Sequence, residues 1–184
     1  MRPIVAVRIN AGSRSWPTYT LIDTGANCCA INRRIAVNIG LEIRTEYKRL
    51  LTFNKASYGQ KDITSFIATD MEEKFKLEDI MTTESEIPCP KDAVLKFDHM
   101  KDINLTELED PTIGLLLSSE FSRHYFGAQS RIGPEDEPIA VLTDFGWAVI
   151  GPSPDVEEEI DNFQINAICE DENISVHDKV YVQE

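Results

Sequence analysis

The sequence lacks the features that mark a membrane span, a disulfide scaffold or a metal centre. No apolar run approaches the ~20 residues needed to cross a bilayer. The longest compact run, residues 113–117, is interrupted by Gly114. Residues 1–10 alternate in character and contain Pro3 and two arginines, which is not the pattern of a signal peptide. Cysteine is scarce: Cys28, Cys29, Cys89 and Cys169 form no Cys-x-x-Cys pair, and no histidine stands near them at metal-ligand spacing. They read as free thiols, buried or part-buried, in a reducing and hence cytoplasmic setting. His99, His124 and His177 lie far apart, without a serine or cysteine context for a nucleophilic triad, and read as surface or packing residues. No cofactor or metal is expected.

Bases are nearly absent from the last third of the chain. All but two of the 18 lysines and arginines precede Arg131, the exceptions being Arg131 and Lys179, whereas 14 of the 32 acidic residues follow residue 130. The net charge of −14 therefore belongs to the C-terminal part. Phosphate repels such a surface, which argues against a nucleic-acid or anionic-membrane partner there. What is present suits one globular domain: 184 residues, 42% of them hydrophobic, can bury a core without disulfides.

Residues 4–9 and 18–22 read as strands from their β-branched content, with a turn over Asn10-Ala11-Gly12-Ser13 between them. Asn32 is placed to cap a short helix with Ile35 and Ile39 on one face, stopped by Gly40. Strands are expected over 49–53 and 63–69, and the polar segment 54–60 has the composition of a hairpin tip. Residues 84–110 read as a long loop with one short element near 93–97. The apolar run 113–117 precedes a short helix around 119–125, residues 127–138 form a loop, and strands fall within 139–150 around Phe145-Gly146-Trp147. Trp147 and Phe145 read as packing residues. From residue 153 onward the composition turns acidic, and an extension of weak order, 153–184, is expected after a domain spanning 1–152. Many short strands with one or two short helices point to a mainly β domain.

The chemistry concentrates at Leu21-Ile22-Asp23-Thr24-Gly25-Ala26. An acidic residue follows directly on an apolar strand, and two small residues follow it. Hydrolysis of a peptide by carboxylates needs one group to take a proton from water and another to give one to the carbonyl oxygen. Two carboxyls held together cannot both ionise easily, so the pair shares a proton. Gly25 permits two loops to approach without a Cβ between them, and the Thr24 hydroxyl can brace the facing loop. The one other Asp-x-Gly, Asp144-Phe145-Gly146, has no hydroxyl in the middle position and reads as a turn. A two-fold axis bringing Asp23 of one chain to Asp23 of another would supply the second carboxylate.

With these residues in view, the chain resembles the retropepsin-like aspartic protease domain of Pao/BEL-type LTR retrotransposons. The resemblance rests on Leu21-Ile22-Asp23-Thr24-Gly25-Ala26-Asn27, on Ile113-Gly114-Leu115-Leu116-Leu117-Ser118-Ser119-Glu120-Phe121, and on Thr143-Asp144-Phe145-Gly146-Trp147-Ala148-Val149-Ile150-Gly151-Pro152. It implies a closed, mainly β barrel with one lobe per chain and a homodimeric site with Asp23 as catalytic residue and Thr24, Gly25 and Ala26 as the active-site loop. Leu116, Leu117 and Ser118 would lie behind the site. A flap hairpin at about residues 51–61 would carry Ser57, Tyr58 and Gly59. The implied activity is endopeptidase cleavage of the element's own polyprotein. Ser118 stands where the family usually has glycine, Glu120 where it has aspartate, and Asn54 where glycine is common in the flap. Ser118 is expected to add a small steric load. These departures keep a second reading open, a catalytically weak domain of the same fold that serves as a dimerisation or protein-binding module.

Overall fold

The computed structural model describes residues 1–52, 55–69, 74–83, 87–88, 97–125, 129–152 and 168–170. Strands β1 (Ile4–Ala11) and β2 (Arg14–Ile22) form a hairpin. It turns at Gly12, whose φ of 61° suits a residue without Cβ. After the Asp23 loop, β3 (Ala30–Asn32) leads into α1 (Arg33–Ile39). The Asn32 side chain accepts from the Arg34 N–H at 2.9 Å, and α1 ends at Gly40 with φ 74°, whose N–H returns to Val37. Ile35 and Ile39 are buried, as their spacing predicts, and Ala36 is buried beside them. β4 (Ile43–Thr52) and β5 (Lys55–Thr69) form a long hairpin, followed by β6 (Lys74–Thr83) and β7 (Ile87–Pro88). A 3-10 turn covers Asp98–Met100, and β8 (Thr112–Leu117) runs into a second one, Ser119–His124. β9 (Ser130–Arg131), β10 (Ile139–Thr143) and β11 (Gly146–Ile150) make a small separate sheet, and β12 is Ile168–Glu170.

The large sheet closes on itself. Its order runs β1-β2-β8-β3-β6-β5, and β5 pairs back with β1 at Ile67–Thr69 opposite Asn10–Arg8. Closure removes the unpaired edges that an open sheet of this size would present. β4 and then β12 continue outward from β5, and β7 pairs with β8. The expected mainly β, closed-barrel architecture with little helix is what the chain adopts. The interior is filled by Val5, Val7, Ile9, Ile31, Ile35, Leu77, Leu115 and Leu117, with Tyr125 and Phe145 packed onto it. A satellite cluster of Phe97, Met100, Ile103, Ala140 and Val149 joins the small sheet to the loop before β8, with Trp147 packed against it. Among the described residues no helix is long and apolar enough to cross a membrane.

Several boundaries differ from the sequence reading. The segment 54–60 does not form the tip: β5 begins at Lys55, and Lys55 pairs with Thr52. The regular alternation of Ala56, Tyr58 and Gln60 outward extends the strand through polar residues, so composition alone misplaces the turn. Arg14 and Ser15 likewise lengthen β2, and a two-residue strand, β9, interrupts the expected loop 127–138. The short element expected near 93–97 lies outside the described residues except for Phe97, which is buried. The extension 153–184 lies outside them except for β12.

Two local features test this account of the barrel. Tyr19 pairs with Ile113 but Thr20 pairs with Leu115, so Gly114 is the extra residue of a bulge in β8. A Cβ on Gly114 would lie 2.2 Å from Ile35 Cδ1 and 2.3 Å from Thr18 Oγ1. We therefore expect Gly114→Ala to destabilise the chain by about 1–3 kcal/mol in urea denaturation. Asp110 anchors the entry to β8, accepting from the Thr112 N–H at 2.9 Å and pairing with Arg34 at 3.2 Å. The Thr112 hydroxyl, then its N–H and the Arg34 guanidinium, hold the Asp110 carboxyl below the usual carboxylate range. Such a group stabilises the fold above its unfolded pKa of ~3.9, and the contribution disappears as pH falls through the lower folded value. Asp110→Asn should consequently lose less stability than the native chain between about pH 6 and about pH 2.

Candidate active site

β2 is central in the barrel, with β1 on one side and β8 on the other. That position buries the unbroken run Thr18, Tyr19, Thr20, Leu21 and Ile22, which explains why the strand reads as continuous rather than alternating. Asp23 is the first residue to leave this layer. Its N–H still donates to the Leu117 carbonyl at 2.9 Å, as if the strand continued. Its Oδ1 accepts from the Gly25 N–H at 2.9 Å, and its carbonyl accepts from the Ala26 N–H at 3.3 Å. The side chain thus folds over its own loop in an Asx-type turn. Thr24 and Gly25 are exposed at the loop's tip, Asp23 is half-buried, and Ala26 is buried against Tyr19, Leu21, Ile113 and Leu116.

The loop is fastened from behind by the residues that follow β8. Ser119 donates to the Ala26 carbonyl twice, from its N–H at 2.9 Å and from its hydroxyl at 2.8 Å. Ser118 is fully buried, and Cys29 Sγ donates to its hydroxyl at 3.4 Å while the Ser118 N–H points at the same sulfur at 3.3 Å. The Tyr125 hydroxyl donates to the Ser118 carbonyl at 2.5 Å. Ser118 is therefore a bonded member of a buried network. Burial, and after it the charges of Cys29, Asp23 and Glu120, push the Tyr125 hydroxyl well above the usual phenol range, so it remains a donor.

The structure brings Asp23, Ala26, Leu117 and Ser118 together. Leu116 packs in the cluster beneath Ala26. Ser119, Cys29 and Tyr125 join them, and sequence reasoning gave none of the three this role. Cys29 was legible only as a thiol outside any disulfide; among the described residues Cys28 is half-buried and Cys29 buried, and neither forms a disulfide. Nothing in the sequence around Tyr125 signals its partner. Ser57, Tyr58 and Gly59 stand on the β5 arm opposite Leu50, Arg49 and Lys48, with Tyr58 62% exposed.

Asp144 is held elsewhere, as a turn residue between β10 and β11. Its carboxylate meets His124 Nδ1 at 2.8 Å, and its N–H donates to the His124 carbonyl at 3.0 Å. The Thr143 hydroxyl ties the same turn, accepting from the Phe145 N–H and donating to the Gly146 carbonyl. Trp147 packs, with the Arg131 guanidinium 5.2 Å from its ring centre. Tyr125→Phe would leave the Ser118 carbonyl with the Phe121 N–H, at 3.1 Å, as its donor. The expected cost is therefore that of one net hydrogen bond, about 0.5–1.5 kcal/mol in denaturant unfolding, with faster amide exchange at Ser118 and Ser119 as the local signature.

No family model matches the chain, and no curated protein matches it. Among solved structures the chain is similar to the crystal structure of the retroviral protease-like domain of Ddi1 from Leishmania major. The sequence identity is 13% and the TM-score 0.39, over 85% of this chain and 98% of that one.

Proposed function

We propose that this chain is a retropepsin-like aspartic endopeptidase domain that works as a homodimer, each protomer giving Asp23. The observation that carries the reading is the loop itself. One carboxylate stands at the end of a buried strand, bonded to Gly25 and braced from behind by Leu117 and Ser119, while Thr24 and Gly25 are exposed beside it. A loop so fastened keeps its geometry when its tip meets a second copy, and preorganisation of this kind is what acid–base catalysis requires. In the dimer the two Asp23 carboxyls would share a proton; the charged one takes a proton from water and the other gives one to the scissile carbonyl. Thr24 would brace the facing loop and Gly25 would permit the approach. The β4–β5 hairpin would be the flap, with backbone groups near Ser57, Tyr58 and Gly59 polarising the bound peptide. The substrate class is polypeptide, and a retroelement polyprotein of the Pao/BEL type fits the sequence resemblance.

Cleavage of a mixed peptide library tests this. We expect turnover to be highest at mildly acidic pH and to rise more steeply than linearly with protein concentration. Asp23→Asn should reduce it at least about a hundredfold while leaving the unfolding midpoint close to that of the native chain. Folded, dimeric protein that cleaves nothing would transfer the assignment to a binding or dimerisation module. Thr24→Ala is expected to shift the monomer–dimer equilibrium toward monomer in analytical ultracentrifugation and to lower activity most at low protein concentration; an unchanged equilibrium would remove Thr24 from the interface.

A further inference from the structure

The outer half of the β4–β5 hairpin is supported differently from the rest of the sheet. β6 pairs with β5 from Ile63 to Thr69, and β1 pairs with it at Ile67–Thr69. Toward the turn from Ile63, among the described residues, the two arms pair with each other, and β4 takes one further neighbour, β12. A two-stranded ribbon is marginally stable in water, and a third strand is what normally secures it. Here the third strand comes from residues more than a hundred positions later in the chain.

The match between the two edges is specific. Ile168 stands opposite Leu51, Cys169 opposite Leu50, and Glu170 opposite Arg49. The backbone register places these three residues directly opposite the end of β4, and an antiparallel neighbour of this kind secures an edge strand through its ladder hydrogen bonds. The wider charge distribution agrees. β4 carries Arg44, Lys48 and Arg49 with Glu46, whereas residues 153–184 contain ten acidic residues and Lys179 as the one base.

We infer that Ile168–Glu170 is an intramolecular strap: it supplies the third strand that holds the outer hairpin, and its release loosens the ribbon as far as the β5 arm. The functional consequence, easier opening over Asp23, rests on the proposed reading of the hairpin as a flap; the mechanical statement does not.

The chain carries its own probe, because Cys169 is the register partner of Leu50. Directly opposed strand positions lie within the Cα separation that a disulfide spans. In Leu50→Cys, mild oxidation should give an intrachain disulfide between the introduced thiol and Cys169, identified by peptide mass spectrometry. Amide exchange at residues 56–59, which pair with β4 on its other edge, should then be slower in the oxidised than in the reduced protein. Ile168→Pro and Cys169→Pro act in the opposite sense. Alternate N–H groups face opposite edges of a strand, so one of the two removes a donor directed at β4. That variant should exchange about fivefold faster at 56–59, the factor carried by one net hydrogen bond of about 1 kcal/mol. Unchanged exchange at 56–59 in all variants overturns the strap, as does failure of the disulfide to form or its appearance between chains only. Exchange that follows these expectations in protein that cleaves no peptide keeps the strap and removes the protease reading.

Discussion

Three hydrogen bonds between the end of β8 and the loop after β2 fix the geometry on which the rest of the site depends. Leu117 receives the Asp23 N–H, and Ser119 gives both its N–H and its hydroxyl to Ala26. These bonds prolong the parallel pairing of β2 and β8 past the point where β2 stops being a strand. The carboxylate of Asp23 is placed by the sheet itself, one residue beyond a fully buried layer, and owes little to the loop's own preferences. The buried network of Cys29, Ser118 and Tyr125 then fills the space behind, with polar groups that satisfy one another where solvent does not reach.

The barrel behind this site is closed by a small number of residues. The return pairing of β5 to β1 involves Ile67–Thr69 and Asn10–Arg8, and it makes a ring of what would be a row. Because the ring is complete, both ends of β2 and β8 are held, and the Asp23 loop sits on a rigid rim. The outer hairpin lies off that ring and draws on other support. Rigid rim and separately supported ribbon divide the molecule into a part that positions chemistry and a part that can respond to a ligand.

Local signals made much of this legible. Asn32 and Gly40 bound α1 because a side-chain acceptor and a left-handed residue have definite places at helix ends. The β-branched content of 18–22 gave the inner half of β2, the apolar run 113–117 marked the segment that forms β8, and Asp23 stood out as a charge at the end of the former. What the sequence concealed is non-local. The bond from Tyr125 to Ser118 and the pairing of Cys29 with Ser118 join residues whose neighbours carry no mark of the contact. The hairpin turn was misplaced because residues 55–60 are polar on a strand whose arm lies largely in solvent, where burial does not impose an apolar alternation. β12 was hidden in an acidic stretch, since three residues leave too short a pattern to read.

One continuous strand, Lys55–Thr69, serves both the ribbon and the barrel, and the two halves obey different rules about length. Between Thr64 and Phe66 the pairing with β6 slips by one position, so β6 carries an extra residue there. Phe66 and Ala68 on β5 and Leu77 on β6 are buried on the far side of that bulge. A residue gained or lost in this part of the barrel would turn those side chains to the opposite face, since strand faces alternate. The same change placed beyond Ile63, matched on both arms, lengthens or shortens the ribbon and leaves the barrel register intact. Variation in chain length among descendants of this sequence is thereby channelled into the hairpin's reach, while the wall that carries Asp23 keeps a fixed residue count.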